Sequence, residues 1–156
     1  MRAVLRTVVV LAGLSVACSR SAPRAGDGGW NEAQIEWTAW PEALARARAE
    51  SKPVCLIFFT GWCPHCKAYE KLFFDPRVAE KARGLVMVRV DDDHSGALGN
   101  QYALDGHYIP RTYFLSAEGA VLPGITSGNP RYKYFYDERD AAGLLASMVQ
   151  AVAQTP

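Results

Sequence analysis

Cysteine is scarce in this chain. Four cysteines in 156 residues, with a single C-x-x-C pair, do not make a disulfide-stapled scaffold. They also leave a zinc or copper site short: two further ligands at metal spacing would be needed, and only His65, His94 and His107 are on offer. Charge of either sign is not in excess. The formal net charge of +1 gives no reason to expect a nucleic-acid partner. No internal repeat is present, which argues against a solenoid. No run of eighteen uncharged apolar residues occurs, so no transmembrane helix is expected in a mature chain.

What is present is enough for one compact domain. Hydrophobic residues make up 49% of the chain and charged residues 21%, a balance that can bury a core. Arg2 and Arg6 precede the apolar run TVVVLAGLSVA, which has the length of a signal peptide. Ser15 and Ala17 stand at the spacing of ordinary signal cleavage, and Cys18 follows at once. This resembles a bacterial lipoprotein signal, with residues 1–17 removed and Cys18 lipidated, although Leu14 lies four residues before the cysteine instead of three. Plain secretion and an uncleaved anchor are the alternatives. Residues 18–29 are small and polar, rich in Gly, Ser and Pro, and read as a flexible tether. The domain is then expected over residues 30–153.

Within it, helical and strand patterns alternate. TAWPEALARARAESK has helical composition, with Thr38 as a possible cap and Leu44 facing inward. PVCLIFFT is a continuous apolar run, expected of a strand buried on both faces. PHCKAYEKLFF reads as a helix with Pro64 in its first turn. DPRVAEKARG restarts a helix with Asp75 as cap and Gly84 as stop, and LVMVRVD is a second buried strand. SGALGNQYAL is weakly helical. RTYFLSAEGAVL predicts a hairpin turning at 117–119. The terminal DERDAAGLLASMVQAVA predicts a helix capped by Asp137, with Leu144, Leu145, Met148, Val149 and Val152 on its inner face. An α/β fold with a mixed central β-sheet flanked by helices follows.

The stretch GWCPHCK, residues 61–67, falls at a strand-to-helix junction, where sites in open α/β sheets concentrate. A helix N-terminus offers unpaired N–H groups and favours negative charge on the Cys63 sulfur. Cys66, one turn on, is close enough to close a disulfide with it. His65, if protonated, adds to thiolate stability; as a passive surface residue it would not. Cys55, inside an apolar run, reads as a buried inert thiol.

These residues resemble the thioredoxin superfamily. WCPHC fills the place of that family's active-site motif, and YIPRTYFL supplies a second signature. The resemblance implies a thioredoxin fold, a cis Ile109–Pro110 bond facing the cysteines, and an Ile109 backbone free to pair with an extended substrate. GNPRYKYFY, with GGWNEAQIEWTAWPEALARARAESKPV and GHYIPRTYFLSAEGAV, is similar to the thioredoxin domain-containing protein 12 and anterior-gradient branch, over roughly residues 30–152. That branch contains small disulfide oxidoreductases of the eukaryotic secretory pathway, so the signal implies a bacterial relative. Two departures stand out. Ile57 occupies the place where many thioredoxins keep a buried acid, and the dipeptide between the cysteines is Pro-His.

The resemblance implies a protein disulfide oxidase or isomerase of exported proteins. It would be lipid-anchored on the periplasmic face of a bacterial membrane and monomeric. Its substrates would be thiol- or disulfide-containing proteins, and a membrane redox partner is conceivable. No cofactor beyond the Cys63–Cys66 disulfide is expected. In that reading Cys63 is the nucleophile, Cys66 resolves, and His65 and Pro64 tune the pair. Trp62, Ile109, Pro110 and Arg111 flank the substrate, Arg111 biasing local charge unless it is simply solvated. The rivals are a membrane-fed reductase serving cytochrome or metal-site maturation, and a metal chaperone or peptide-binding module. DDDHSG, residues 91–96, lacks a calcium-loop pattern and reads as a solvated loop. Tyr132, Tyr134, Phe135 and Tyr136 form either a substrate face or packing for their loop.

Overall fold

The computed structural model describes residues 29–155; the expected signal, Cys18 and nearly all of the tether lie outside them. The secondary structure runs α1 (Trp40–Glu50), β1 (Val54–Phe59), α2 (Pro64–Tyr69), α3 (Pro76–Ala82), β2 (Val86–Asp91), α4 (Ala97–Gln101), β3 (Arg111–Leu115) and α5 (Ala142–Ala153). The strands form a mixed sheet in the order β2-β1-β3, with β1 parallel to β2 and antiparallel to β3. The fold is the expected mixed α/β sandwich.

β1 is central, so both of its faces are covered and its apolar run is unbroken. Because strand side chains alternate, Cys55 and Ile57 enter one core with Trp30, Tyr69, Phe73, Met87, Phe114 and Leu144. Val54, Leu56 and Phe58 enter the other, with Ala43, Ala47, Val88, Tyr102 and Tyr113. Fully burying each Leu, Ile or Phe of β1 is worth about 1.5–3 kcal/mol. That makes β1 the rigid platform from whose carboxyl end the Cys-Pro-His-Cys stretch departs.

Several local expectations hold and others are corrected. The N-cap of α1 is Ala39, with no side-chain hydrogen bond; the Thr38 hydroxyl instead accepts from Arg46 at 3.0 Å. Leu44 is half-buried and packs against the second core. The stretch after Cys63 is helical only to Tyr69 and continues as a 3₁₀ turn over Glu70–Phe74. Asp75 does cap α3, accepting from the Arg77 N–H at 2.8 Å. The hairpin turn closes at Gly119, whose φ of +89° suits glycine. Its return arm pairs through a Leu115–Val121 bridge, the Ser116 N–H to the Ala120 carbonyl and the Leu122 N–H to the Phe114 carbonyl. Asp137 does not cap α5. Its carboxylate accepts from the Arg139 N–H, and Asp140 takes the Ala142 N–H at the true helix start. With α5 starting at Ala142, its buried stripe is Leu144, Ser147, Met148 and Ala151, while Val149 and Val152 are exposed and Leu145 is half-buried. The spacing of three and four is the helix's own period.

Candidate functional site: a dithiol facing a cis-proline loop

Beyond β1 the chain turns through Thr60, Gly61 and Trp62 and places Cys63 as the N-cap of α2, with Pro64 in the first turn. Cys63 Sγ accepts the Cys66 N–H at 3.3 Å. A sulfur so placed takes one of the orphan donors of the helix start, an arrangement that favours its anion. Across from it lies Ile109–Pro110. That bond is cis, as the resemblance implies, and the Ile109 carbonyl oxygen is 3.9 Å from Cys63 Sγ. Both thiols of the pair are largely buried and free in this structure, as is Cys55.

The three thiols differ in surroundings. Burial pushes the Cys66 thiol up to about 12, with the neighbouring Cys63 and the Glu138 charge adding to the effect. Burial alone pushes Cys55 far above the ordinary thiol range, so it is an inert core group. Cys66 lines a cleft of about 430 Å³ with Thr60, Lys67, Glu70 and Arg89. Thr60 Oγ1 is buried there without a hydrogen-bond partner in the protein. Ile57 is fully buried in the apolar core. No carboxylate therefore comes from its position in β1, six residues before Cys63.

Trp62 stands 70% exposed beside the dithiol, and its indole N–H donates to Asp93 at 2.7 Å. Asp93 belongs to the DDDHSG stretch, whose Asp92–His94 segment is a 3₁₀ turn. Sequence reading missed both aspartates as parts of the site region. Nothing local marks them, since Trp62, the partner of Asp93, lies 31 residues away and Arg111, the partner of Asp92, lies 19 away.

Arg111 is a correction. It sits next to Pro110, yet its side chain is 0% exposed and does not reach a substrate. Its guanidinium donates to both oxygens of Asp92, to the Tyr108 carbonyl and to the Gly99 carbonyl, and stacks 4.3 Å from the Phe58 ring. It is an internal strut of the cis-proline loop.

His65 is 62% exposed at the side chain, and its Nδ1 meets the Glu138 carboxylate at 2.7 Å. Phe135 packs edge-on against the ring, with centroids 5.7 Å apart. Among the aromatics of GNPRYKYFY the packing reading holds for most. Tyr136 is buried and bonded to Ser147, Tyr134 lies on Tyr113, and Tyr132 lies on Tyr108. Glu138 was also missed, 73 residues from His65 and read as part of a helix. Among the described residues, no group of three or more His, Cys, Asp or Glu is gathered to hold a metal.

A Thioredoxin-like family model matches residues 36–117. The chain belongs to that family. Within it, the chain is 34% identical over 126 residues to Anterior gradient protein 1 of Xenopus tropicalis, covering 80% of this chain and 66% of that protein. It is 33% identical to the Xenopus laevis protein of the same name, covering 80% and 68%. These matches place it in the anterior-gradient branch, and the chain spans about two thirds of these relatives' length. A thioredoxin from Thermus thermophilus superposes with a TM-score of 0.56 at 25% identity, covering 75% of this chain and 86% of that one. Family and dithiol together make this thioredoxin-like protein a thiol–disulfide oxidoreductase by class.

Proposed function

We propose that this protein is an exported disulfide oxidase or isomerase that acts on protein substrates through Cys63 and Cys66. The observation that carries the reading is the Cys63 sulfur, seated at a helix start and facing the Ile109 carbonyl. A substrate thiolate attacks Cys63 Sγ of the Cys63–Cys66 disulfide. That bond breaks, Cys66 leaves as a thiolate and takes up a proton, and a mixed disulfide remains. A second substrate thiolate then attacks its own partner sulfur and releases Cys63. The substrate gains one disulfide, and the pair gains two electrons.

Both thiols are largely buried, but burial holds the Cys66 thiol protonated while the Cys63 sulfur takes the Cys66 N–H at the helix start, so Cys63 is the reacting partner of this exchange. Trp62 offers an exposed apolar surface beside the attack line, and the Ile109 backbone borders it, with Pro110 setting the loop's course. Pro64 starts the helix and His65 tunes the pair. Export rests on the signal-like N-terminus, and lipidation on Cys18. The substrates are thiol- or disulfide-containing proteins, with no metal or cofactor needed for the exchange itself. The acting species is a monomer.

The test is covalent trapping. Cys66→Ala leaves a nucleophile without a resolving thiol, so mixed disulfides with substrate proteins accumulate on non-reducing gels. Cys63→Ala abolishes them, and Cys55→Ala does not trap. Catalysed refolding of a reduced, denatured ribonuclease by the wild-type chain completes the test. Trapping at Cys55, or no catalysis at all, would count against the proposal. Tight binding of a metal by the reduced chain without catalysis would favour the chaperone.

A further inference from the structure

The loop that carries GNPRYKYFY is fastened to the site at several points. The Asp105 carboxylate accepts from the Tyr108 hydroxyl at 2.7 Å and from the Lys133 N–H at 2.7 Å. The Tyr134 N–H donates to the Tyr108 oxygen at 3.0 Å, and the Thr112 N–H donates to the Tyr134 carbonyl at 2.8 Å. The loop is thereby tied to β3 and to the segment before the cis-proline. Downstream, Tyr136 is locked in the core by its bond to Ser147. Phe135 and Glu138 therefore reach His65 from an anchored base. Together with Asn129, Asp137 and Arg139 they line a groove of about 640 Å³ whose other wall is His65.

An exposed ion pair is usually worth little, but this one has the marks of a built contact. Glu138 is only 20% exposed at the side chain, and both carboxylate oxygens lie within 3.0 Å of Nδ1. Phe135 holds the ring edge-on. A carboxylate on Nδ1 fixes which ring nitrogen carries the proton in the neutral ring and leaves Nε2 as the working nitrogen. The same division of labour orients the histidine of serine hydrolases.

We infer that Glu138 is a positioning residue of the dithiol site, holding His65 with its Nδ1 proton on the carboxylate so that Nε2 exchanges protons with the thiols. This rests on the oxidoreductase reading above. When the Cys63–Cys66 bond is broken by a substrate thiolate, the departing thiolate needs a proton. The imidazolium Nε2–H supplies it, and the neutral ring that remains keeps its Nδ1 proton on Glu138. The exposed ring edge recovers a proton from water. In the reverse direction Nε2 takes the proton from the thiol before it attacks. The carboxylate absent at Ile57 is thus supplied to the dithiol region from the other side of the fold.

The test uses the full chain with Glu138→Ala, Glu138→Gln, His65→Ala and the double variant, each checked for folding by its melting temperature. Nitrogen NMR of the His65 ring should show the neutral ring protonated at Nδ1 in the wild type. That preference should persist in Glu138→Gln, whose amide oxygen still accepts, and be lost in Glu138→Ala. Exchange with a model disulfide should slow by about 10-fold or more in Glu138→Ala, less in Glu138→Gln. In the His65→Ala background, Glu138→Ala should slow it no further. Equal slowing in both backgrounds, unchanged exchange in Glu138→Ala, or a wild-type neutral ring protonated at Nε2 would each overturn the inference. If the wild-type chain exchanges no disulfides, the oxidoreductase reading falls, and the ring's protonation state judges Glu138 alone.

Discussion

Asp92 grips the fully buried guanidinium of Arg111 through two hydrogen bonds of 2.8 and 2.9 Å. The pair joins the turn after β2 to the first residue of β3, directly behind Pro110. Removing one partner of such a pair leaves a buried charge uncompensated, which costs about 3–5 kcal/mol. Urea denaturation of Asp92→Ala should show a loss of that size. A loss under about 1 kcal/mol would mean that water reaches Arg111.

The same pair gives a pH signature. Burial works to raise the Asp92 carboxyl, but hydrogen bonding and attraction from Arg111 outweigh it and hold the carboxyl below its usual range. A depressed carboxyl contributes stability above the unfolded value, about 3.9. That contribution is lost as pH falls through the lower folded value. The stability gap between wild type and Asp92→Ala should therefore be full at neutral pH and shrink below about pH 4. Unfolding curves at several pH values check this, and a gap that widened in acid would contradict it.

Thiol reactivity should be one-sided. Cys66 is held protonated by burial up to about 12, and Cys55 is deeper still. Brief alkylation of the reduced domain at neutral pH should therefore place one adduct, on Cys63. Mass mapping of the labelled peptides reads this directly. Equal labelling of Cys66 would show that it is neither buried nor restrained in solution.

The reduction potential decides the direction of electron flow. A sulfur bonded to the Cys66 N–H, with an imidazole in the first turn of the same helix, favours the reduced pair, and a stabilised reduced pair is the better oxidant. The expected potential lies in the upper half of the range from about −270 mV to about −120 mV. His65→Pro should move it towards the reducing end. Glutathione equilibration read by Trp62 fluorescence measures both. A potential near the lower limit that His65→Pro leaves unmoved would favour the membrane-fed reductase.

The proposed export would leave its own trace. The mature chain should begin at Cys18 and carry acyl mass, which intact-protein mass spectrometry resolves. A mature chain that starts there without added mass would leave export standing and remove the anchor.

Much of this protein is decided by local sequence. The apolar run of β1, the Asp75-Pro76 helix start and the Cys63–Cys66 spacing each act over a few residues, through strand alternation, capping and one turn of helix. Fold class and dithiol were accordingly legible from the sequence. The cis-proline opposite the dithiol was legible through its motif. The limits of local reading appear at Asp137 and Asp140. Each accepts the N–H two residues on, yet neither is the N-cap: α5 starts at Ala142 behind Ala141, where the Leu144–Met148 stripe meets the core. Arg111 shows the other limit. A charge beside the site looks solvated until Asp92, 19 residues away, and the Phe58 ring enclose it. Glu138 meets His65 across 73 residues. Such contacts depend on where an anchored loop returns, which the free energy of the whole core sets and no short stretch of sequence records.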